Sequence, residues 1–192
     1  MARTKEFDPE VALEAAVKLF WRRGYEQTSL EMLLRAMRIS KQSLYDTFGD
    51  KRALYLQAMK RYRATTNQAL RELFAKQGSV RGAFAKLFRS MAQESREELQ
   101  RGCLLLSANL TRDVQDGAIE RFLRDNQREV EQIFREALGE ARARGDLDAN
   151  KSPAALARYF VSTVQGMRAL GRLNHDGREL EQIGRLALGA LD

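Results

Sequence analysis

Between Thr28 and Lys51 the chain gathers hydroxyl, amide and ammonium groups at spacings suited to hydrogen bonding with a polyanion and with base edges, not to bond cleavage. Gln42 offers a carbonyl and an amino group that can pair bidentately with adenine. Ser43 serves either base type, and Lys41 reaches a guanine edge or a phosphate. Lys51 would begin a helix, where its ammonium and the nearby backbone N–H groups both favour a phosphate. Asp46 is the misfit, because a carboxylate beside DNA is repelled unless it accepts from a cytosine amino group.

Two short helices joined by a tight turn would hold these groups. Thr28 would cap the first, with Glu31 three residues on closing a capping box, and Ser40 would cap the second. In the second helix Leu44 and Phe48, four apart, share one face and turn inward. Gln42 and Asp46 then point outward, with Ser43 and Tyr45 on the flanks. A helix of under about ten residues does not hold itself in water, so tertiary packing must anchor it, as a recognition helix requires.

The rest of the chain reads as all helical. Pro9 and Pro153 follow Asp8 and Ser152, the pattern of a capped first turn, and Gly24 closes the first helix. Helices are expected near 9–23, 29–37 and 41–48. A long one should run from Lys51 to Gly78-Ser79, and others near 80–95, 102–114, 117–144, 153–173 and 179–191. There is no repeat, low-complexity tract or flexible linker, so the long fourth helix would join the two halves.

With 192 residues, 44% of them hydrophobic, the chain can bury a sizeable core. Its net charge of +7 favours an anionic partner, and the excess is uneven. Residues 1–63 hold 13 Lys/Arg against 8 Asp/Glu, whereas the remainder is nearly balanced. No apolar run approaches the ~20 residues of a membrane span and residues 1–10 carry no signal-peptide core, so a cytoplasmic protein with no membrane partner is expected. One cysteine, Cys103, excludes an internal disulfide, and one histidine, His175, leaves no metal-ligand cluster or nucleophilic dyad. No enzyme, metal or cofactor is expected.

The pattern Leu13, Ala16, Leu19-Phe20, Gly24-Tyr25, Thr28-Ser29, Ile39-Ser40-Lys41, Leu44-Tyr45, Phe48, Lys51, Leu54 resembles the tetracycline-repressor (TetR) family of bacterial regulators. The resemblance implies an all-α fold: a three-helix helix-turn-helix DNA-binding domain, taken as 1–55, joined by a long helix to a helical effector-binding and dimerisation domain, 56–192. It further implies a homodimer on double-stranded operator DNA, released by a small-molecule effector. Thr28, Ser29, Tyr45 and Lys51 match phosphate-contact positions, and Lys41, Gln42, Ser43 and Tyr45 match positions near bases or backbone. With Ser40 and Thr47 these make up the expected DNA-binding set. Two residues depart from the family pattern. Arg38 stands where a turn glycine is usual, so it either takes a left-handed conformation or the turn differs. Gln42 replaces a small residue and adds a base-reading side chain.

Other residues carry two readings each. Phe84, Leu87, Phe88, Met91, Leu106 and Phe122 are core by spacing, but under the resemblance they would line an effector pocket with Cys103, Asn109 and Gln165 as its polar members. Cys103 is either a small buried hydrophobe or, beside Arg101 at a helix start, a thiolate sensor. Tyr159, Thr163, Met167 and Leu170, with Ile183 and Leu186 on the last helix, form stripes for a four-helix dimer interface or for internal packing. The small residues Gly166, Ala169, Gly171, Gly184 and Gly189 permit close approach. Trp21 reads as packing, and Arg3 and Lys5 either as solvated charges or as an arm along a DNA backbone. A helical adaptor working through protein contacts would share the two-helix device, and sequence-selective DNA binding would separate the two.

Overall fold

The computed structural model describes residues 7–111 and 116–192, and every regular element among them is helical. In chain order these are α1 (Pro9–Arg23), α2 (Leu30–Met37), α3 (Lys41–Phe48), α4 (Lys51–Lys76), α5 (Val80–Ala92), α6 (Arg96–Arg101), α7 (Leu104–Thr111), α8 (Gly117–Ala143), α9 (Pro153–Asn174) and α10 (Gly177–Leu188). A 3-10 turn covers Gly189–Leu191. The all-helical expectation holds.

The chain forms two compact units, one of residues up to 65 with 103–121, the other of 66–102 with 122–192. The expected boundary at 55/56 falls inside α4, and the division lies further along the same helix. In the first unit Ala16, Phe20, Leu33, Leu44, Leu54, Ala58 and Met59 have no solvent exposure. Phe20 meets Tyr55 edge-on at 4.8 Å, and Trp21 meets Tyr62 at 5.0 Å, so Trp21 is a packing residue. In the second unit Phe84 stacks on Phe160 at 3.9 Å, with Phe74 and Phe134 edge-on at 4.9 and 5.1 Å.

Local chemistry sets most helix starts. Asp8 accepts from the Glu10 and Val11 N–H groups, and Ser152 from Ala155. The helix expected over 80–95 stops at Ala92. Ser95 then opens α6 with a complete capping box: its hydroxyl accepts from Glu98 N–H, and the Glu98 carboxylate accepts from Ser95 N–H. The helix expected from 102 starts at Leu104, after Gly102 turns the chain at φ +63°, and its expected end at 112–114 lies outside the described residues. The last helix starts earlier than expected, where Asp176 accepts from Arg178 N–H.

Glycines at α10 serve packing inside the second unit. A β-carbon on Gly184 would stand 2.7 Å from Phe88 Cβ, and one on Gly177 would stand 2.2 Å from the Ala92 carbonyl oxygen. Only glycine lets α10 approach α5 that closely.

Candidate nucleic-acid interface

At the α1–α2 corner the two hydroxyls at 28 and 29 divide their work. Thr28 was expected to cap α2, but Ser29 does so, accepting from Met32 N–H at 3.1 Å. Thr28 is fully buried, and its hydroxyl donates to the Gly24 carbonyl at 2.7 Å, bracing the α1–α2 corner. The Thr28 side chain, with no exposure, offers no surface to a phosphate in this structure, whereas Ser29 is exposed.

Arg38 takes the left-handed conformation, φ 55° and ψ 43°, and ends α2. Its N–H and that of Ile39 both donate to the Leu34 carbonyl. The chain therefore makes the turn that glycine usually makes. Ser40 then caps α3, accepting from Ser43 N–H at 3.0 Å, with the two serine hydroxyls 2.9 Å apart.

Packing orients α3 as its sequence implies. Leu44 and Phe48 are buried, and Lys41, Gln42, Tyr45 and Asp46 are exposed, Tyr45 by 44%. Ser43 and Thr47 are half-buried on the flanks. At the far end Gln57 of α4 donates to the Phe48 carbonyl at 3.0 Å, so both ends of α3 are held. Gln42 Nε2 donates to Asp46 Oδ1 at 2.8 Å along the exposed face.

The start of α4 follows directly. Asp50 caps it, accepting from Ala53 N–H at 2.7 Å. The Lys51 ammonium lies 4.2 Å from the centre of the Tyr25 ring, a cation–π contact that steadies a long side chain. Burial first, then the Asp50 and Glu26 carboxylates, push the Tyr25 phenol above its ordinary pKa, so it stays protonated and neutral beneath that cation. Arg52 pairs with Asp116, whose other oxygen caps α8 by accepting from Ala118 and Ile119 N–H at 2.7 and 3.2 Å. Sequence reasoning did not single out this pair, because no local pattern links residues 64 apart in the chain.

The remaining expected residues are spread through the fold. Phe84, Leu87, Phe88 and Met91 lie in the buried core of the second unit with Phe160 and Leu180. Phe122 is also buried, and Gln165 is half-buried on α9. Cys103, Leu106 and Asn109 belong to the first unit, Cys103 and Leu106 half-buried and Asn109 exposed. On α9 and α10, Tyr159 is exposed by 44% and Leu186 by 81%, while Thr163, Leu170 and Ile183 are half-buried. Met167, at 1%, is packed in the core of the second unit, the internal-packing alternative for that stripe. Gly171 and Gly184 likewise face Leu99, Leu180 and Phe88 of the same chain, whereas Gly166 has open space around it. Arg3 and Lys5 lie outside the described residues.

No helix among the described residues is long and apolar enough to cross a membrane.

Comparison with known proteins extends the picture over the whole chain. Residues 12–58 match the family model for bacterial regulatory proteins of the tetR family, and residues 78–187 match that for a tetracyclin repressor-like C-terminal domain. The chain is 31% identical over 194 aligned residues to the uncharacterized HTH-type transcriptional regulator YezE of Bacillus subtilis (strain 168), covering all of both proteins. It is 30% identical to the HTH-type transcriptional repressor ComR of Escherichia coli (strain K12), covering 96% of this chain and 88% of that one. Among solved structures, a cysteine mutant of the TetR family transcriptional regulator CifR, complexed with 26-bp double-strand operator DNA, superposes with a TM-score of 0.88 at 30% identity, covering all of both chains. With the helix-turn-helix geometry and both halves of the sequence in agreement, this chain belongs to the TetR family of bacterial transcriptional regulators, DNA-binding proteins rather than enzymes.

Proposed function

We propose that the chain works in the cytoplasm as a homodimeric repressor, holding a palindromic operator until a small-molecule effector releases it. The observation that carries the reading is the outward face of α3, where Lys41, Gln42 and Tyr45 stand exposed on a helix pinned at both ends. DNA reading belongs to residues 1–55, with Ser29 and Lys51 at phosphates and the exposed face of α3 at base edges. Effector binding and dimerisation belong to residues 56–192. Two reading heads on a two-fold dimer must meet major grooves roughly 34–36 Å apart, which makes the operator palindromic.

Three findings support the finer points. CifR is held on operator DNA in its solved complex, and ComR is a named repressor at 30% identity. Tyr159, Leu173 and Leu186 are large apolar side chains left exposed on α9 and α10, which a second copy would cover. The match over 78–187 to a tetracyclin repressor-like C-terminal domain supports an effector site in that part of the chain, where Gln165, a half-buried polar side chain of α9, is suited to orient the ligand.

Selection from randomised duplex DNA should enrich a palindrome bound by two protomers. A thermal-shift screen of small molecules against the full chain should then yield a stabilising compound that lowers affinity for that palindrome. A reporter carrying it should be silenced by the protein and restored by the compound. Enrichment of nothing, from a folded dimer, would favour the adaptor. A stabilising compound that leaves operator affinity unchanged would contradict effector control.

A further inference from the structure

Asp46 stands on the reading face of α3 without a task in the account above, and a carboxylate there works against binding a polyanion. Its geometry suggests why it is present. Gln42 Nε2 donates to Asp46 Oδ1 at 2.8 Å, one helical turn away, on a helix capped by Ser40 and held by Gln57 at its other end. The chemistry of the contact sets which way the amide faces, because a carboxylate accepts from the amino group and repels the carbonyl.

An unheld glutamine amide is ambivalent towards the major groove. Its two N–H donors can both go to guanine N7 and O6, its carbonyl can accept from the cytosine amino group, and the mixed pair suits adenine N7 and N6. Once one N–H is committed to Asp46, one donor and one acceptor remain. That pair complements adenine, whereas guanine would set its O6 against the Gln42 carbonyl. Resting on the reading of α3 as the groove-reading helix, we propose that Asp46 is a specificity-determining partner of Gln42. It acts through Gln42 and holds the amide in the orientation that accepts adenine and rejects guanine.

The test is selection from randomised duplex DNA by the full-length wild type and by Gln42→Ala, Asp46→Ala and Asp46→Asn. Gln42→Ala identifies the position that Gln42 reads. There the wild type should prefer adenine to guanine by roughly tenfold or more, the discrimination typical of a good bidentate pair. Asp46→Ala should reduce that ratio to about twofold at this position and leave the flanking positions alone. Asp46→Asn, whose side-chain carbonyl still accepts from the Gln42 amide, should keep most of the preference, a rescue that a general structural role would not produce. An unchanged ratio in Asp46→Ala, guanine selected by the wild type, or loss of preference at a different position would each overturn the proposal, the last by making Asp46 a base contact itself. If the wild type enriches no palindrome at all, the reading of α3 fails and the proposal falls with it.

Discussion

Arg38 shows how one residue can fold correctly against its own preference. Its left-handed backbone costs a non-glycine residue roughly 1–2 kcal/mol, and the turn keeps it because α2 and α3 must meet at that angle. Arg38→Gly should therefore raise stability by about 1 kcal/mol in urea unfolding, while Arg38→Ala, with the same positive φ, should gain nothing. Equal effects from both would mean that strain is not what Arg38 contributes. Lys51 makes a different test. If it meets a phosphate, Lys51→Met should weaken operator binding on every sequence alike and reduce the salt slope by about one. Capping residues were legible in sequence at Asp8, Ser40 and Ser152, where a single hydroxyl or carboxylate stood at the right place. At Thr28-Ser29 two equivalent hydroxyls adjoin. The choice between them rests on the Gly24 carbonyl and on the burial of Thr28, both tertiary facts.

At the scale of elements, helical periodicity and Gly or Pro breaks located nearly every helix, because those signals are local. The exception was α6, whose capping box Ser95-Arg96-Glu97-Glu98 lay in plain view but is too short to show a periodic apolar face. Ser95→Ala should cost about 1 kcal/mol of stability in denaturant unfolding. Helix contacts separate two kinds of glycine that look alike in sequence. Gly184→Ala would drive a methyl into Phe88 and should destabilise by roughly 1–3 kcal/mol. Gly166→Ala, in open space inside α9, should stabilise the protomer by about 0.5–1 kcal/mol. The contact of α4 with the start of α8 has a pH signature. Burial raises the Asp116 pKa but is outweighed by the Ala118 and Ile119 N–H groups and the Arg52 guanidinium, which hold it below the usual aspartate value. A depressed carboxylate lends stability that is complete above its unfolded pKa and is lost as pH falls through the folded one. Acid titration followed by circular dichroism should show wild type losing that contribution below the ordinary aspartate range. Asp116→Asn, lacking it throughout, should show a flatter profile.

For the whole molecule, the DNA-reading half was legible because one contiguous stretch builds it, so caps, apolar face and exposed face are all visible within about twenty-five residues. The residues expected to line an effector pocket and a dimer interface are not open to the same reading, because their roles depend on which helices meet. Phe84, Leu87, Phe88 and Met91 have the same spacing whether they line a cavity or fill a core, and Met167 has the same spacing as its exposed neighbours. Operator control depends most on sequence-selective binding by the exposed face of α3. The measurement that reaches it most directly is the affinity of wild type and Tyr45→Ala for the selected palindrome and for a scrambled duplex of equal length, at near-physiological salt. Wild type should bind the palindrome about a thousandfold or more tightly than the scrambled duplex. Tyr45→Ala, with unchanged helicity and dimer mass, should lose most of that ratio. Equal affinity of the wild type for the two duplexes, or a variant that discriminates as well as wild type, would contradict the account.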